Sequence, residues 1–158
     1  MKKKIFWNFF FILIIFLLDR VTKISIINFL ENSDNGHIQI TNFLSFNLIW
    51  NEGIAFGLFS FDQELYYNFL TIIIILVTTI ILWMIIKTKG LEKIAFLMIF
   101  GGSLGNIFDR LVYSSVPDFI DLHYNNFNWF IFNVADIFIS MGIILLIYLE
   151  FFKKKINE

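Results

Sequence analysis

Residues 69–86 contain nothing more polar than Thr71, Thr78 and Thr79. A run of this kind matches the roughly 20 apolar residues that cross the hydrocarbon core of a bilayer. Inside lipid a lone segment satisfies its own backbone only as a helix. Three other stretches are long and apolar enough if a few ionisable residues are accepted within them, giving spans at about 5–27, 66–86, 93–112 and 134–152. Apolar residues make up 58% of the chain, and 22 of its 158 residues are Phe, beyond what an ordinary water-soluble domain carries. The expectation is one integral-membrane domain, 1–158, mainly α, with four transmembrane helices and no internal repeat or linker.

The basic residues orient these spans. Lys2, Lys3 and Lys4 precede the first; Lys87, Lys89 and Lys93 bracket the link between the second and third; Lys153, Lys154 and Lys155 follow the fourth. No Lys or Arg occurs over 24–86 or over 111–152. By the positive-inside rule both termini and the 87–93 link are cytoplasmic, and the loops at about 28–65 and 113–133 are extracytoplasmic. The Lys run before an apolar stretch also resembles a cleaved signal peptide, but no small-x-small site follows it. It ends instead in Asp19-Arg20-Val21-Thr22-Lys23, so a retained anchor is expected.

In the first outer loop, Ile38 and Ile40 alternate with polar neighbours, as do Phe46, Leu48 and Trp50, with Gly36, Gly53 and Gly57 as punctuation. This pattern predicts two or three short strands within 37–59, a small extracytoplasmic β-sheet. Its aromatics suit the headgroup region. The second outer loop carries Pro117, Asp118, Asp121, His123 and several Asn, and reads as a polar connection returning to the interface at Trp129, Phe130 and Phe132.

The charges inside the spans are the informative exceptions. At about 1.5 Å per residue, Asp19 and Lys23 lie about 22 and 28 Å up the first helix from Lys4. Asn106, Asp109 and Arg110 lie about 20–26 Å up the third from Lys93, and Asp136 about 26 Å up the fourth from Lys153. Three helices thus bring six polar groups to one outer layer, and such groups face one another or water rather than lipid. Asp19 and Lys23 are at i,i+4 in the favourable order for an ion pair. Arg110 is expected to neutralise Asp109 or a neighbour. Asp118, Asp121 and Asp136 then compete without an obvious cation, and two carboxylates sharing a site retain a proton between them. That is the equipment of a carboxylate-pair hydrolase: one base for water, one acid for the leaving group.

Other chemistries fit less well. Cysteine is absent, which excludes thiol nucleophiles and Cys-ligated metal. Only His37 and His123 are available, without a His-Glu-x-x-His run for zinc. Lys23 with Ser25, Ser103, Ser114 or Ser115 offers a Ser–Lys pair that no spacing recommends. Gly101-Gly102-Ser103-Leu104-Gly105 lacks the Lys of a phosphate loop and reads as a small-residue face for helix approach. A non-enzymatic scaffold using the same charges for helix association is the competing class, and it leaves the unpaired outer carboxylates without a purpose.

Five segments, in order and over essentially the whole chain, resemble the lipoprotein signal peptidase (signal peptidase II) family of bacterial membrane aspartic proteases. They are Asp19-Arg20-Val21-Thr22-Lys23 (D-x-x-x-K), Asn51-Glu52-Gly53-Ile54-Ala55-Phe56-Gly57 (N-x-G-x-A-F-G), the run from Gly101 to Arg110 (G-G-x-x-G-N-x-x-D-R), Val116-Pro117-Asp118-Phe119 (V-x-D-F) and Phe132-Asn133-Val134-Ala135-Asp136 (F-N-x-A-D). The resemblance implies Asp118 and Asp136 as the catalytic pair. It also implies four spans with a small outer sheet, and a prolipoprotein substrate cut just before a diacylglyceryl-modified cysteine. Arg20 stands where the family often has Gln, and Pro117 precedes Asp118. Around the pair, Asn106, Asp109 and Arg110 are expected to fix its geometry, and Asn133 to bond the pair or the substrate. Asn51 and Gly53 are expected to meet the substrate chain, and Asp19 and Lys23 to brace the first helix. No cofactor, metal or nucleic acid is expected; membrane lipid is the surroundings, the inner membrane the location and a monomer the working unit.

Overall fold

The computed structural model describes residues 2–31, 37–53, 63–124 and 127–157. Four long helices, α1 (Lys2–Glu31), α2 (Gln63–Lys87), α3 (Gly90–Tyr113) and α4 (Val134–Asn157), accompany four strands, β1 (His37–Gln39), β2 (Leu44–Asn51), β3 (Val116–Tyr124) and β4 (Phe127–Phe132). Stretches of α2, α3 and α4 (Leu65–Lys87, Gly90–Tyr113 and Val134–Phe152) are long and apolar enough to cross a membrane. Their outward side chains are correspondingly apolar: Phe69, Leu76 and Ile80 of α2 and Ile144 of α4 are each more than half exposed. Exposed apolar surface on this scale marks a protein that meets lipid.

Helix α3 is the hub, packing against α1, α2 and α4. Its glycines make this possible. A Cβ on Gly102 would sit 2.5 Å from the carbonyl oxygen of Ala135 on α4, and one on Gly105 would sit 2.5 Å from Oδ2 of Asp19 on α1. The expected small-residue face is therefore two-sided: Gly101 and Gly105 meet α1 at Ile15 and Asp19, while Gly102 meets α4. Any side chain at these positions would separate helices that carry the polar groups described below.

The strands form one antiparallel sheet in the order β1-β2-β3-β4. The first outer loop contributes two strands, as its alternation predicts; residues 54–62, including Phe56, Gly57 and Phe59, lie outside the described residues, as does Gly36. The second outer loop is not a polar connection but supplies the other half of the sheet. At the start of β3 the physical reason is burial on both faces. Val116 to Phe119 are all buried, so successive residues show no apolar–polar alternation. Ser114, with φ 55° in the left-handed region, ends α3 and turns the chain directly into β3.

Candidate active site where the sheet meets the helices

A closed set of four charges lies between α1 and α3. Asp109 of α3 receives a two-pronged contact from Arg20, with Nη1 on Oδ1 and Nη2 on Oδ2, the latter at 2.8 Å. Lys23 Nζ lies 2.6 Å from Asp109 Oδ2 and 3.0 Å from Asp19 Oδ1, and Arg20 Nη2 donates to Asp19 Oδ2 at 2.6 Å. All four side chains are buried, and two cations balance two carboxylates. Asp19 also accepts the backbone N–H of Ala135 at 3.0 Å, which ties α1 to the first turn of α4. The i,i+4 pair of Asp19 and Lys23 forms as expected. The partner of Asp109 differs from the expected one: it is Arg20 and not Arg110. The close approach of α1 and α3 at Gly105 brings Arg20 onto both oxygens of Asp109. Arg110 instead turns Nη1 towards the carbonyl of Asn106 at 3.5 Å. It lies near the backbone of Gly53.

Asp118 and Asp136 meet beside this quartet, and three asparagines hold them. Asn51 at the end of β2 donates Nδ2–H to Asp118 Oδ2 at 2.9 Å. Asn133, between β4 and α4, donates Nδ2–H to Asp118 Oδ1 at 2.6 Å, and its backbone N–H reaches Asp136 Oδ2 at 3.1 Å. Asn106 of α3 donates Nδ2–H to Asp136 Oδ1 at 2.8 Å. The orientation of each amide is dictated by its other end. Asn51 Oδ1 accepts from Gly53 N at 2.7 Å, Asn133 Oδ1 from Asp136 N at 3.2 Å, and Asn106 Oδ1 from Lys23 Nζ at 2.9 Å. Those three partners only donate, so each amide nitrogen must turn to an aspartate.

Every oxygen of the two aspartates thus accepts one N–H. Among the described residues no cation pairs directly with either. Asn133 has a further local role. It precedes α4, and its side chain and that of Asp136 three residues on bond each other's backbone N–H, a reciprocal cap of the helix start. Asp136 is therefore held by the beginning of α4, and Asp118 by the sheet, where it pairs with Ile49 of β2.

Burial drives the Asp118 carboxyl above the ordinary aspartate range. The amide donors of Asn51 and Asn133 oppose this, the Asp136 charge reinforces it, Lys23 opposes it, and the net direction is up. A pair so placed favours holding one proton in common.

The third acid of the sequence reading does not join them. Asp121 is three positions from Asp118 along β3, so its side chain leaves the opposite face of the sheet. There it accepts from Ser45 Oγ at 3.4 Å. Of the residues singled out in the sequence, the structure brings together Asp118, Asp136, Asn51, Asn106 and Asn133 directly. Lys23, Asp19 and Asp109 are joined to them through Asn106, while Gly53 acts by fixing Asn51.

This constellation lies within a chain whose residues 11–152 match the family described as signal peptidase (SPase) II. The chain is 48% identical to the lipoprotein signal peptidase of Pelagibacter ubique over 158 residues, covering 99% of this chain and 95% of that one. It is 40% identical to the lipoprotein signal peptidase of Thermodesulfovibrio yellowstonii, covering 94% and 97% respectively. Two solved structures of a bacterial membrane enzyme, determined in meso at 2.3 and 1.9 Å, superpose with TM-scores of 0.77 and 0.76 at 28% identity. The first covers 96% of this chain and 90% of its own; the second covers 90% of each.

Proposed function

Because the chain belongs to the signal peptidase II family of membrane enzymes, which remove signal peptides from prolipoproteins, we propose that it is an aspartic endopeptidase working through Asp118 and Asp136. The observation that carries this reading is the pair itself: two carboxylates held by the same asparagine, with no cation directly on either among the described residues. A water between them loses a proton to the ionised member as its oxygen attacks the scissile carbonyl carbon. The protonated member then gives its proton to the departing nitrogen as the C–N bond breaks. The pair ends with one proton, as it began.

The bond cut is the one before a cysteine that already carries a diacylglyceryl group. Helix α1 is the fourth span: its 30 residues extend about 45 Å, and its inner half presents Ile5, Phe6 and Phe9 outward. The Lys clusters put both termini in the cytoplasm. The sheet and the aspartate pair are then at the extracytoplasmic face of the inner membrane, where a lipidated cysteine anchored by its acyl chains resides. The enzyme works as a monomer on a prolipoprotein drawn from the bilayer. Nucleic acid has no role in it, and the residues of the pair supply the whole acid–base requirement without a cofactor.

The test is competition between a diacylglyceryl-modified prolipoprotein and its unlipidated precursor in the same micelles. The lipidated form is expected to be cleaved at least about 100-fold faster, in keeping with binding energy from a remote part of the substrate. Equal rates would remove the lipid from the recognition and with it the assigned substrate.

A further inference from the structure

The two carboxylates of the pair stand in unequal surroundings. Asp118 lies within β3 and is 5% exposed, whereas Asp136 is only half-buried. Burial acts against the charged form of a carboxyl, and it raises Asp118. Asp136 sits in the first turn of α4, where the positive end of a helix favours a carboxylate. A strand offers Asp118 no comparable field.

Their donors differ in the same sense. Asp118 accepts the side-chain amides of Asn51 and Asn133. Asp136 accepts the backbone N–H of Asn133 and the amide of Asn106, whose own oxygen receives the Lys23 ammonium. A cation on one end of an amide polarises it and makes the N–H at the other end a stronger donor. The charged groups that the packed elements bring towards Asp136 are Asp19, Arg20 and Lys23 of α1, Asp109 and Arg110 of α3, and Asp118 of β3. Those of α1 cancel with Asp109, and Arg110 turns to the carbonyl of Asn106. Lys23 therefore acts on Asp136 by way of Asn106.

We propose that Asn106, by carrying the influence of Lys23 to Asp136, keeps Asp136 the ionised member of the pair and leaves the resting proton on Asp118. The inference rests on the reading of the pair as catalytic, and it gives each aspartate its step. Asp136 takes a proton from the water as the water oxygen bonds to the carbonyl carbon. Asp118 gives its proton to the nitrogen as the C–N bond breaks. The proton left on Asp136 then returns to Asp118 through the next water, and the pair is reset. Asn106 acts through Asp136 and is a positioning residue.

The experiment is an infrared titration of the detergent-purified full chain, with isotope-labelled aspartate and no substrate. The pair is read as the carboxyl signal that Asp118→Asn and Asp136→Asn together remove. It is expected to titrate in two steps, and a donor that touches one member moves mainly the step in which that member changes. Asn106→Ala is expected to move the lower step upward by about one pH unit and to leave the upper step in place. Asn51→Ala, at the exposed end of β2, is expected to move the upper step upward by about as much and to leave the lower one. The reverse assignment would put the proton on Asp136, and equal movement of both steps would share it evenly; either result would overturn the proposal. A lower step unmoved by a folded Asn106→Ala would overturn the role of Asn106. An upper step unmoved by Asn51→Ala would overturn the place of the proton, even if Asn106→Ala does not fold. The titration needs no cleavage, so the peptidase reading and this one can fail separately.

Discussion

Asp118→Asn and Asp136→Asn are each expected to lower turnover of a diacylglyceryl-modified prolipoprotein by a factor on the order of 10⁴. Neither amide can act as base towards water or return a proton to the leaving nitrogen. The substitutions are close in shape, yet not silent for stability. Each aspartate oxygen accepts an N–H, so an amide nitrogen in its place sets donor against donor. That costs about 1–3 kcal/mol, so an unfolding midpoint in the same detergent belongs beside the rate. Loss of turnover with the chain still folded is the expected outcome; near-normal turnover in either variant would remove that residue from the chemistry. The wild-type pH profile carries the same logic. Under the proposed mechanism the pair is competent with one proton and incompetent with none, so activity is expected to fall on the alkaline side as that proton leaves. Since burial raises Asp118, the alkaline limb is expected above the ordinary aspartate range. The two limbs belong to the pair and not to single residues.

Asp109→Leu is expected to destabilise the protein by about 3–5 kcal/mol. It strands Arg20 and Lys23, both buried, with Asp19 as their one remaining carboxylate among the described residues. The double variant Arg20→Leu with Asp109→Leu removes one charge of each sign and leaves Lys23 with Asp19. It is expected to be less damaging than the sum of the single changes, since two groups in direct contact do not act additively. Chemical denaturation of the four proteins closes the cycle, and strict additivity would contradict the quartet as a coupled unit. Activity is expected to follow the same order, because Lys23 holds the oxygen of Asn106 and Asn106 holds Asp136.

Much of this arrangement was legible in the sequence, for physical reasons that differ residue by residue. The long apolar helices are readable because lipid demands continuous apolar runs. The 54–57 part of the Asn51 motif lies outside the described residues. The Asp19–Lys23 pair follows from helical spacing within α1 alone. The asparagines were found as members of motifs, but their task, with each amide turned by a donor at its far end, needed three elements assembled in space. Three expectations differ from the structure for definite causes. The start of β3 was hidden because Val116 to Phe119 are buried on both faces, which erases the period of two there, while Ile120-Asp121-Leu122-His123-Tyr124 alternates and carried a legible strand signal. Arg110 was expected on Asp109 where Arg20 stands: three cations (Arg20, Lys23, Arg110) and three acids (Asp19, Asp109, Asp136) share one depth, and which of them pair is settled only when α1 and α3 are packed. Asp121 could have been set aside from its odd spacing to Asp118 once β3 was recognised as a strand.

The most direct measurement is mass-spectrometric identification of the product that the purified protein forms from a diacylglyceryl-modified prolipoprotein. A mature fragment beginning with the lipidated cysteine, formed by the wild type and absent with folded Asp118→Asn and Asp136→Asn, is the result expected here. A fragment with a different first residue, or the same fragment from all three proteins, would contradict it.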